Sequence, residues 1–273
     1  MDRCLVVGVL NCTPDSFSEQ RRFDGVDEAV AAGVALCEAG ADWLDVGGES
    51  TRPGATPVPA DEEQARVVPV LRALSARLGD RVRLSIDTYK ASTALAALAA
   101  GATVVNDVSG GLLDPEILGV TATAGAAFVA GHLRGLPATM MEGIAFDDVE
   151  AEVAVELAAR LDQARAAGCV ELWADPGIGF GKRLEHNLAL LRGLPGLRER
   201  LRVPVMVGVS RKAFIGQLTG KPPAERLLGT AAAVTAAVLA GAAAVRVHDV
   251  AEMRDVVRVA EALRVSPIAG EGA

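Results

Sequence analysis

Short apolar runs in this chain repeatedly end on a polar or ionisable residue. Runs of four or five residues rich in Val, Ile and Leu are typical of β-strands buried on both faces. These runs lead into the polar residues Asn11, Asp87, Asn106, Asp175, Ser210 and Arg246. If such strands are parallel, their carboxyl ends emerge on one face of the molecule. The polar side chains are then expected to converge on a single site.

A second pattern, a glycine between two small residues, recurs five times along the chain. Each copy follows a helical stretch and precedes a β-branched run, with the glycines at Gly40, Gly101, Gly125, Gly168 and Gly241. Glycine after the last helical turn supplies the left-handed residue that ends a helix. Five such joints indicate a serial arrangement of β-strands and α-helices.

Eight strand–helix units can be counted in this way. We predict strands near Val6–Leu10, Trp43–Val46, Leu84–Ile86, Val104–Val105, Ala126–Ala130, Leu172–Ala174, Val205–Val209 and Ala244–Val247. Helices are predicted in the gaps, for example over Val26–Ala39, Asp61–Leu78, Ala91–Ala100, Val149–Ala167 and Ala224–Leu239. Eight units in about 265 residues are typical of a single-domain α/β fold, the (β/α)8 TIM barrel. A doubly wound open sheet, which usually has fewer strands, is the alternative.

The barrel is assigned to residues 1–265, and residues 266–273 are predicted to form a flexible C-terminal tail. The uncharged stretch Leu227–Val245 has 19 residues, close to the length of a membrane span. Its high alanine content and the interruptions at Gly229 and Gly241 favour a buried helix followed by a strand. No signal peptide precedes the first strand, so we expect a soluble, cytoplasmic protein that does not insert into membranes.

Charge and cysteine usage exclude several kinds of partner. The chain has 273 residues, a net charge of −8 and 51% apolar residues, which allows a large core. The acidic balance disfavours non-specific binding to nucleic acid. The four cysteines show no C-x-x-C spacing and no cluster with histidine, which favours reduced thiols over structural zinc.

Three polar residues on three predicted strands form the first candidate site. Asp87, Asn106 and Asp175 each end a strand and precede a turn. Such a set can bind a flat heterocycle with amidine-like N–H donors, because a carboxylate accepts two parallel hydrogen bonds from such an edge. The alternative is that these residues only cap the loops that follow. Their equivalent positions on three strands favour the binding site.

Basic residues near the last two strands form the second candidate site. Lys212, Arg246 and His248 lie where this fold usually binds phosphate, and phosphate requires cationic partners. The alternative is that they form ion pairs with Asp249 or Glu252. No G-x-S-x-G elbow and no Ser-His-Asp order are present, so the sequence gives little support to triad hydrolysis.

The glycine-rich stretch Gly177–Lys182 matches neither a P-loop nor a dinucleotide fingerprint. Its backbone can approach a ligand closely, and Phe180 offers a stacking face. With the strand-end residues, it completes a pattern that resembles the dihydropteroate synthase family, the folate-pathway enzymes that sulfonamides inhibit. The resemblance extends from Val7 to about Leu263 and rests on the segments Asn11–Ser18, Asp45–Gly54, Ser85–Thr88, Asn106–Gly111, Asp175–Lys182, Ser210–Lys212 and Arg246–Val250.

This resemblance implies a reaction. Members of the family are TIM barrels that condense 6-hydroxymethyl-7,8-dihydropterin diphosphate with 4-aminobenzoate, giving 7,8-dihydropteroate and diphosphate, with Mg²⁺ required. Diphosphate loss precedes amine attack and leaves a pterin-methyl cation, so no enzyme nucleophile is needed. A homodimer is also expected from the resemblance.

The resemblance also implies roles for individual residues. The pterin-binding set would be Asp87, Asn106, Asp175 and Lys212. The diphosphate partners would be Asn11, Arg246 and His248, with Mg²⁺ also held by Asn11 and with Glu19 as a further candidate ligand. The binding residues for 4-aminobenzoate would be Thr51, Arg52, Pro53, Phe17 and Phe180. The catalytic residues would be Asp87, Lys212, Arg246 and His248.

Three positions depart from the usual family pattern. Glu19–Arg21 replaces Asp-Gly-Gly, so an acid remains on a longer arm but the flexible glycines are gone. Ala213 stands where many members have Ser. Gly131 stands where the family commonly has Met, which predicts a looser floor of the pterin pocket.

Other functions share parts of this pattern. A pterin-dependent methyltransferase domain would have the barrel and the pterin-binding acids, but it has no need for Thr51–Pro53 or for diphosphate partners at Arg246 and His248. The altered Glu19–Arg21 loop suggests a non-catalytic pterin-binding paralogue. A generic sugar-phosphate barrel enzyme is a more distant alternative.

Overall fold

Eight parallel strands form a nearly closed barrel in the structure, a computed structural model that describes residues 3–13, 22–51 and 54–264. The strands are β1 (Leu5–Asn11), β2 (Trp43–Gly47), β3 (Arg83–Asp87), β4 (Val104–Asp107), β5 (Ala127–Gly131), β6 (Leu172–Asp175), β7 (Met206–Gly208) and β8 (Ala244–Val247). Their spatial order is β6-β5-β4-β3-β2-β1-β8-β7. A parallel bridge between Ala174 and Val205 joins the two ends of the sheet. The predicted TIM barrel is confirmed, and the open sheet is excluded.

Ten α-helices surround the strands in the described part of the chain. They are α1 (Arg22–Glu38), α2 (Ala60–Leu78), α3 (Ala91–Ala99), α4 (Glu116–Thr123), α5 (Val149–Ala166), α6 (Leu184–Arg192), α7 (Leu194–Leu201), α8 (Ala213–Thr219), α9 (Leu227–Leu239) and α10 (Val250–Arg264). The uncharged stretch is therefore helix α9 followed by strand β8, as predicted. No helix of residues 3–13, 22–51 and 54–264 is long and apolar enough to cross a membrane. The predicted tail lies outside the described residues.

The amino-terminal half of the barrel interior is filled by apolar side chains. Val7, Val104 and Met206 pack there with Trp43 and Trp173, whose rings meet edge to face with centroids 4.9 Å apart. The larger apolar cluster lies between the strands and the helices. Because this apolar layer closes the lower half of the barrel, inward-pointing polar side chains can lie only nearer the carboxyl ends of the strands.

Side-chain alternation along the strands places polar residues in the next layer. Asp45 follows Trp43 by two residues, and Asn106 follows Val104 by two, so each points inward from the same face of its strand. The parallel register puts Asp45 beside Ser85 of β3. Arg246 follows Ala244 on β8 in the same way. The barrel therefore carries a layer of charged and amide side chains directly above the apolar layer that fills its amino-terminal half.

Candidate active site

A pocket of about 400 Å³, including its open mouth, lies at the carboxyl ends of the strands. It is lined by Asp87, Asn106, Val108, Gly131, Asp175, Gly177, Ile178, Phe180, Gly208, Lys212 and Arg246. The three predicted acid and amide residues therefore share one pocket with two of the three predicted basic residues. Convergence of strand ends on one site, which the sequence pattern predicted, is confirmed.

The buried carboxylate of Asp45, beneath this pocket, hydrogen-bonds to residues that line it. Asp45, only 1% exposed, accepts hydrogen bonds from Ser85 Oγ at 2.5 Å and from Asn106 Nδ2 at 2.9 Å. Arg246 donates from Nε to Asp45 at 2.6 Å and from Nη2 to Asp87 at 2.6 Å. The guanidinium thus spans two carboxylates from neighbouring strands of the barrel.

Burial changes the acid–base properties of the pocket. It raises the pKa of the Asp87 carboxyl; the charge of Arg246 opposes this effect, and the charge of Asp45 reinforces it. Burial also lowers the pKa of Lys212 to about 8, an effect that the Asp175 carboxylate opposes. Burial therefore favours the neutral form of both Asp87 and Lys212.

The opposite wall of the pocket is formed by the last residue of β6 and by residues that follow β6 and β7. Asp175 accepts a hydrogen bond at Oδ1 from the Gly177 N–H at 2.7 Å. Burial raises the pKa of Asp175, while this hydrogen bond and the charge of Lys212 lower it. Lys212 Nζ lies 3.9 Å from the centroid of the Phe180 ring, a cation–π contact. An acceptor, a donor and an aromatic face thus meet on this wall.

His248 lies at the end of β8 but does not line the pocket. Its backbone N–H donates to Ser210 Oγ at 3.2 Å, and its Nδ1 is 3.0 Å from the same oxygen. Burial lowers the pKa of His248 to about 4, so the ring is neutral near pH 7. Asp249 pairs with Arg211, from Nε to Oδ2 at 3.0 Å. Among the described residues, the predicted basic residues form no ion pair with Asp249 or Glu252.

The chain matches a known family over most of its length. The family described as pterin binding enzyme matches residues 7–248. Dihydropteroate synthase of Synechocystis sp. is 44% identical over 264 residues, which cover 96% of this chain and 90% of that protein. The chain belongs to the dihydropteroate synthase family of pterin-binding enzymes.

Solved structures of the dihydropteroate synthase family share this architecture. The Xanthomonas albilineans dihydropteroate synthase with 4-aminobenzoic acid is 45% identical, with a TM-score of 0.89, covering 97% of this chain and 95% of that one. The same enzyme in complex with 7,8-dihydropteroate has a TM-score of 0.86 at 42% identity, with 97% and 95% of the two chains covered. The family resemblance predicted from the motifs is confirmed.

The glycine-rich loop of this family member folds around the buried side-chain nitrogen of Lys182. Lys182, 3% exposed, donates to the carbonyl oxygens of Gly177 at 3.1 Å and Phe180 at 3.0 Å. Its Nζ also lies 2.9 Å from Nδ1 of His132, whose Nε2 is 3.1 Å from Glu156. Sequence reasoning gave Lys182 no role. Its only signal was its position at the end of the glycine-rich stretch.

The loop after β2 is held at both ends. Glu49 accepts hydrogen bonds from Tyr89 at 2.9 Å and from the Val58 N–H at 3.2 Å, and it pairs with Lys90. The Gly54 N–H donates to the carbonyl of Ala138, in the loop after β5, at 3.2 Å. Thr51 is half-buried within this loop. The predicted residues Arg52, Pro53, Phe17 and Glu19 lie outside the described residues.

Asn11 ends β1 beside Gly47 of β2. Its side-chain amide has no hydrogen-bond partner within the ranges that the structure describes. No group of three His, Cys, Asp or Glu side chains that could hold a metal is found there either. Mg²⁺ commonly keeps several waters and takes one or two protein oxygens together with substrate phosphates. One amide oxygen at the barrel mouth therefore fits Mg²⁺ only when a phosphate ligand accompanies it.

The surroundings of Gly131 differ from the looser pocket floor that the sequence predicts. A Cβ atom at this position would lie 2.7 Å from the carbonyl oxygens of Asp107 and Val108 and from Val108 Cα. The backbone after β4 therefore fills the space beside Gly131. The looser pocket floor predicted from the missing side chain is wrong at this point.

Proposed function

We propose that the chain condenses 6-hydroxymethyl-7,8-dihydropterin diphosphate with 4-aminobenzoate to give 7,8-dihydropteroate and diphosphate, as a dihydropteroate synthase. The single observation that carries this proposal is the shared pocket of Asp87, Asn106, Asp175, Lys212 and Arg246. Its acceptors suit the N–H edge of a pterin, and its cations suit a diphosphate. In the reaction the methylene carbon–oxygen bond breaks, and the aromatic amine forms the new carbon–nitrogen bond and loses a proton.

Pterin binding is assigned to the acceptor side of the pocket. Asp175 and Asn106 would accept hydrogen bonds from the amino-pyrimidine N–H groups, since buried charge-assisted hydrogen bonds of this kind are strong. Lys212 would donate to the oxygen or a ring nitrogen of the pterin. The cation–π contact of Lys212 with Phe180 places this ammonium directly against the pocket wall.

Departure of diphosphate is assigned to the cationic side. Arg246 lines the pocket, and His248 lies two residues further along the chain. A dianionic ligand beside His248 would favour the imidazolium form and raise the pKa of His248 above about 4. Asn11 would hold Mg²⁺ through its amide oxygen together with diphosphate oxygens, and the bound ion supplies further positive charge to the leaving group.

Asp87 is assigned the stabilisation of the pterin-methyl cation. Its carboxylate lies in the pocket wall, where low polarity strengthens attraction to developing positive charge. The second substrate, 4-aminobenzoate, would bind between Thr51 and Phe180, with Arg52, Pro53 and Phe17 completing its site. Exclusion of water from this site would protect the cation, which water otherwise captures.

The proposed function is tested by an assay of diphosphate release. Purified protein is given the pterin diphosphate with and without 4-aminobenzoate and with and without Mg²⁺. We expect release that depends on both additions. Tight pterin binding with no release would identify a non-catalytic paralogue. Binding of methyltetrahydrofolate but not of the pterin diphosphate would favour a methyltransferase.

We further propose a homodimer in the cytoplasm. Exposed apolar side chains on α9 and α10 support self-association, among them Leu228 at 80% exposure and Leu263 at 69%. The cysteines are all unpaired, which fits a reducing compartment. Light scattering coupled to size-exclusion chromatography tests the dimer, and a mass near the 28.1 kDa of one chain would contradict it.

A further inference from the structure

We propose that Asp45 is a positioning residue of the pterin pocket, which dictates the groups that Asn106 and Arg246 present to the ligand. The inference deepens the proposed function and rests on it, because it concerns how the same pocket recognises a pterin. Asp45 does not line the pocket; it lies below, fully buried in the barrel interior. It therefore acts through its neighbours and not through contact with substrate.

The first neighbour is Asn106. Its side chain offers two hydrogen-bond donors at Nδ2 and an acceptor at Oδ1. An ionised carboxylate is an acceptor only, so Asp45 can bond only the Nδ2 end, at 2.9 Å. The Asn106 carbonyl oxygen is then the end left for the pocket. Asp45 thereby makes Asn106 an acceptor, which is what the N–H edge of a pterin requires.

The second neighbour is Arg246, which has two carboxylates within reach. Arginine prefers to bind one carboxylate through two parallel hydrogen bonds. Here Asp45 takes Nε and Asp87 takes Nη2, each at 2.6 Å. Asp87 consequently accepts from Arg246 through Oδ2 alone, and its Oδ1 accepts no hydrogen bond within the described ranges. Without Asp45, we expect Arg246 to turn toward Asp87 and engage both of its oxygens.

Because Asp45 and Asp87 engage Nε and Nη2 of Arg246, the third guanidinium nitrogen, Nη1, is left over. Nε and Nη2 lie on one edge of the fork, and both are engaged by carboxylates. Nη1 has no hydrogen-bond acceptor in the part of the chain that the structure describes. Because Arg246 lines the pocket, this end is the one available to an anionic ligand. Asp45 therefore fixes the orientation in which Arg246 would meet diphosphate.

The ionisation of Asp87 provides a second, independent test of this arrangement. Asp87 faces Arg246 of β8, Asp45 of β2, Glu63 of α2 and Lys212 after β7. The two carboxylates disfavour ionisation of Asp87, and the two cations favour it. Replacing Asp45 by a neutral residue removes one repulsion and frees Arg246 for Asp87. Both changes lower the pKa of Asp87, so the acid limb of the pH–rate profile moves to lower pH.

The test compares Asp45→Asn with the wild-type protein and with Asp42→Asn. Asp42 lies at the amino-terminal end of the barrel, where it pairs with Arg254, and it is the matched control for loss of a carboxylate. Binding of 6-hydroxymethylpterin is measured by calorimetry, and kcat/KM is measured against pH. We expect Asp45→Asn to weaken pterin binding by roughly ten- to a hundredfold, as for loss of a buried polar partner. The KM for 4-aminobenzoate should stay within about twofold, and the acid limb should move to lower pH.

Pterin binding within twofold of wild type together with an unmoved acid limb would overturn the inference. If Asp45→Asn does not fold, a crystal structure of the wild-type protein with 6-hydroxymethylpterin decides the matter. Asn106 Nδ2 should remain bonded to Asp45 while Oδ1 accepts from the ligand; a broken Asp45–Asn106 contact would also overturn it. Failure of the proposed function is seen separately, as wild-type protein that binds the pterin but forms no dihydropteroate.

Discussion

Lys182 and His132 are joined by a hydrogen bond of 2.9 Å between Nζ and Nδ1, and Lys182 also donates to the carbonyl of Gly177, which lines the pocket. The ammonium form of Lys182 can only donate, so beside it Nδ1 is the acceptor and the imidazole is neutral. Nε2 then carries the proton and donates to Glu156 at 3.1 Å. Burial lowers the pKa of His132 to about 4, which agrees with this tautomer. Burial lowers the pKa of Lys182 to about 7, and this buried amine together with a neutral histidine supports the glycine-rich loop.

This relationship predicts a pH dependence of stability. The pKa of His132 is lower in the folded chain than in the unfolded chain, so the unfolded chain binds its proton first as pH falls. Stability from His132 is therefore present above the ordinary histidine range and is lost as pH falls toward about 4. His132→Asn removes the titrating group, and its amide oxygen can still accept from Lys182. When the pH falls from about 6.5 to 5, the free energy of unfolding should decrease in both proteins. We expect this decrease to be about 1–2 kcal/mol smaller in the variant than in the wild type.

Urea unfolding at the two pH values measures this difference. His186, which is not deeply buried, provides the control variant His186→Asn. We expect the control to follow the wild-type pH dependence. If the free energy of unfolding has the same pH dependence in wild type and His132→Asn, the buried imidazole does not contribute to that dependence.

Lys182 itself is predicted to stabilise the glycine-rich loop. Lys182→Met removes the donor to the carbonyls of Gly177 and Phe180 and leaves these acceptors buried. We expect a loss of about 1–3 kcal/mol in the free energy of unfolding, with weaker pterin binding because Phe180 and Gly177 line the pocket. Chemical denaturation and calorimetry measure the two effects. Lys221→Met, at a lysine that is 51% exposed, should change neither.

Glu49 is predicted to affect the second substrate but not the first. Its contacts with Tyr89, Val58 and Lys90 hold the start of the loop after β2. Glu49→Gln weakens the ion pair with Lys90, so the loop carrying Thr51 loses its fixed position. We expect the KM for 4-aminobenzoate to rise by roughly fivefold or more, an effect of about 1 kcal/mol, with pterin affinity unchanged.

Steady-state kinetics with each substrate varied in turn separates these effects. Glu62→Gln, at an exposed glutamate on α2, is the control and should leave both KM values unchanged. An equal loss of affinity for both substrates in Glu49→Gln would contradict a role limited to the loop.

Gly131 is predicted to admit no side chain without a shift of the backbone. The Cβ atom in Gly131→Ala would lie 2.7 Å from backbone atoms of Asp107 and Val108, closer than such contacts allow. Since Gly131 and Val108 both line the pocket, we expect weaker pterin binding and a loss of about 1–3 kcal/mol in stability. Gly119→Ala is a matched control on α4. A Cβ atom there meets nothing within 4 Å, and the change should raise stability by up to about 1 kcal/mol. Wild-type pterin affinity in Gly131→Ala would contradict the prediction.

Much of this structure could be predicted from the sequence because strands buried on both faces appear there as uninterrupted apolar runs. All eight strands were placed within two residues. The polar residue ending each run identified Asp87, Asn106 and Asp175, which share one pocket. Short helices were harder to place, since α7 and α8 have only 8 and 7 residues and give little periodicity.

The supporting contacts of the site could not be predicted in the same way. Asp45 lies inside a buried strand, two residues before its end, and alternation shows only that it faces the barrel interior. Its partner Arg246 is 201 residues away in the chain, so their contact arises only when the barrel closes. Lys182 and His132 are likewise 50 residues apart, on different loops. Roles that depend on such distant neighbours leave no local pattern.

The most direct test of the proposed chemistry is formation of 7,8-dihydropteroate by the purified protein, followed by mass spectrometry, for wild type and Asp87→Ala. We predict product from the wild-type protein that requires both substrates. Asp87→Ala should fold normally and lose turnover by a factor of roughly a hundred or more, as for removal of a group that stabilises transition-state charge. Undiminished product formation by Asp87→Ala would contradict the role of this carboxylate, and no product from wild type would contradict the proposed reaction.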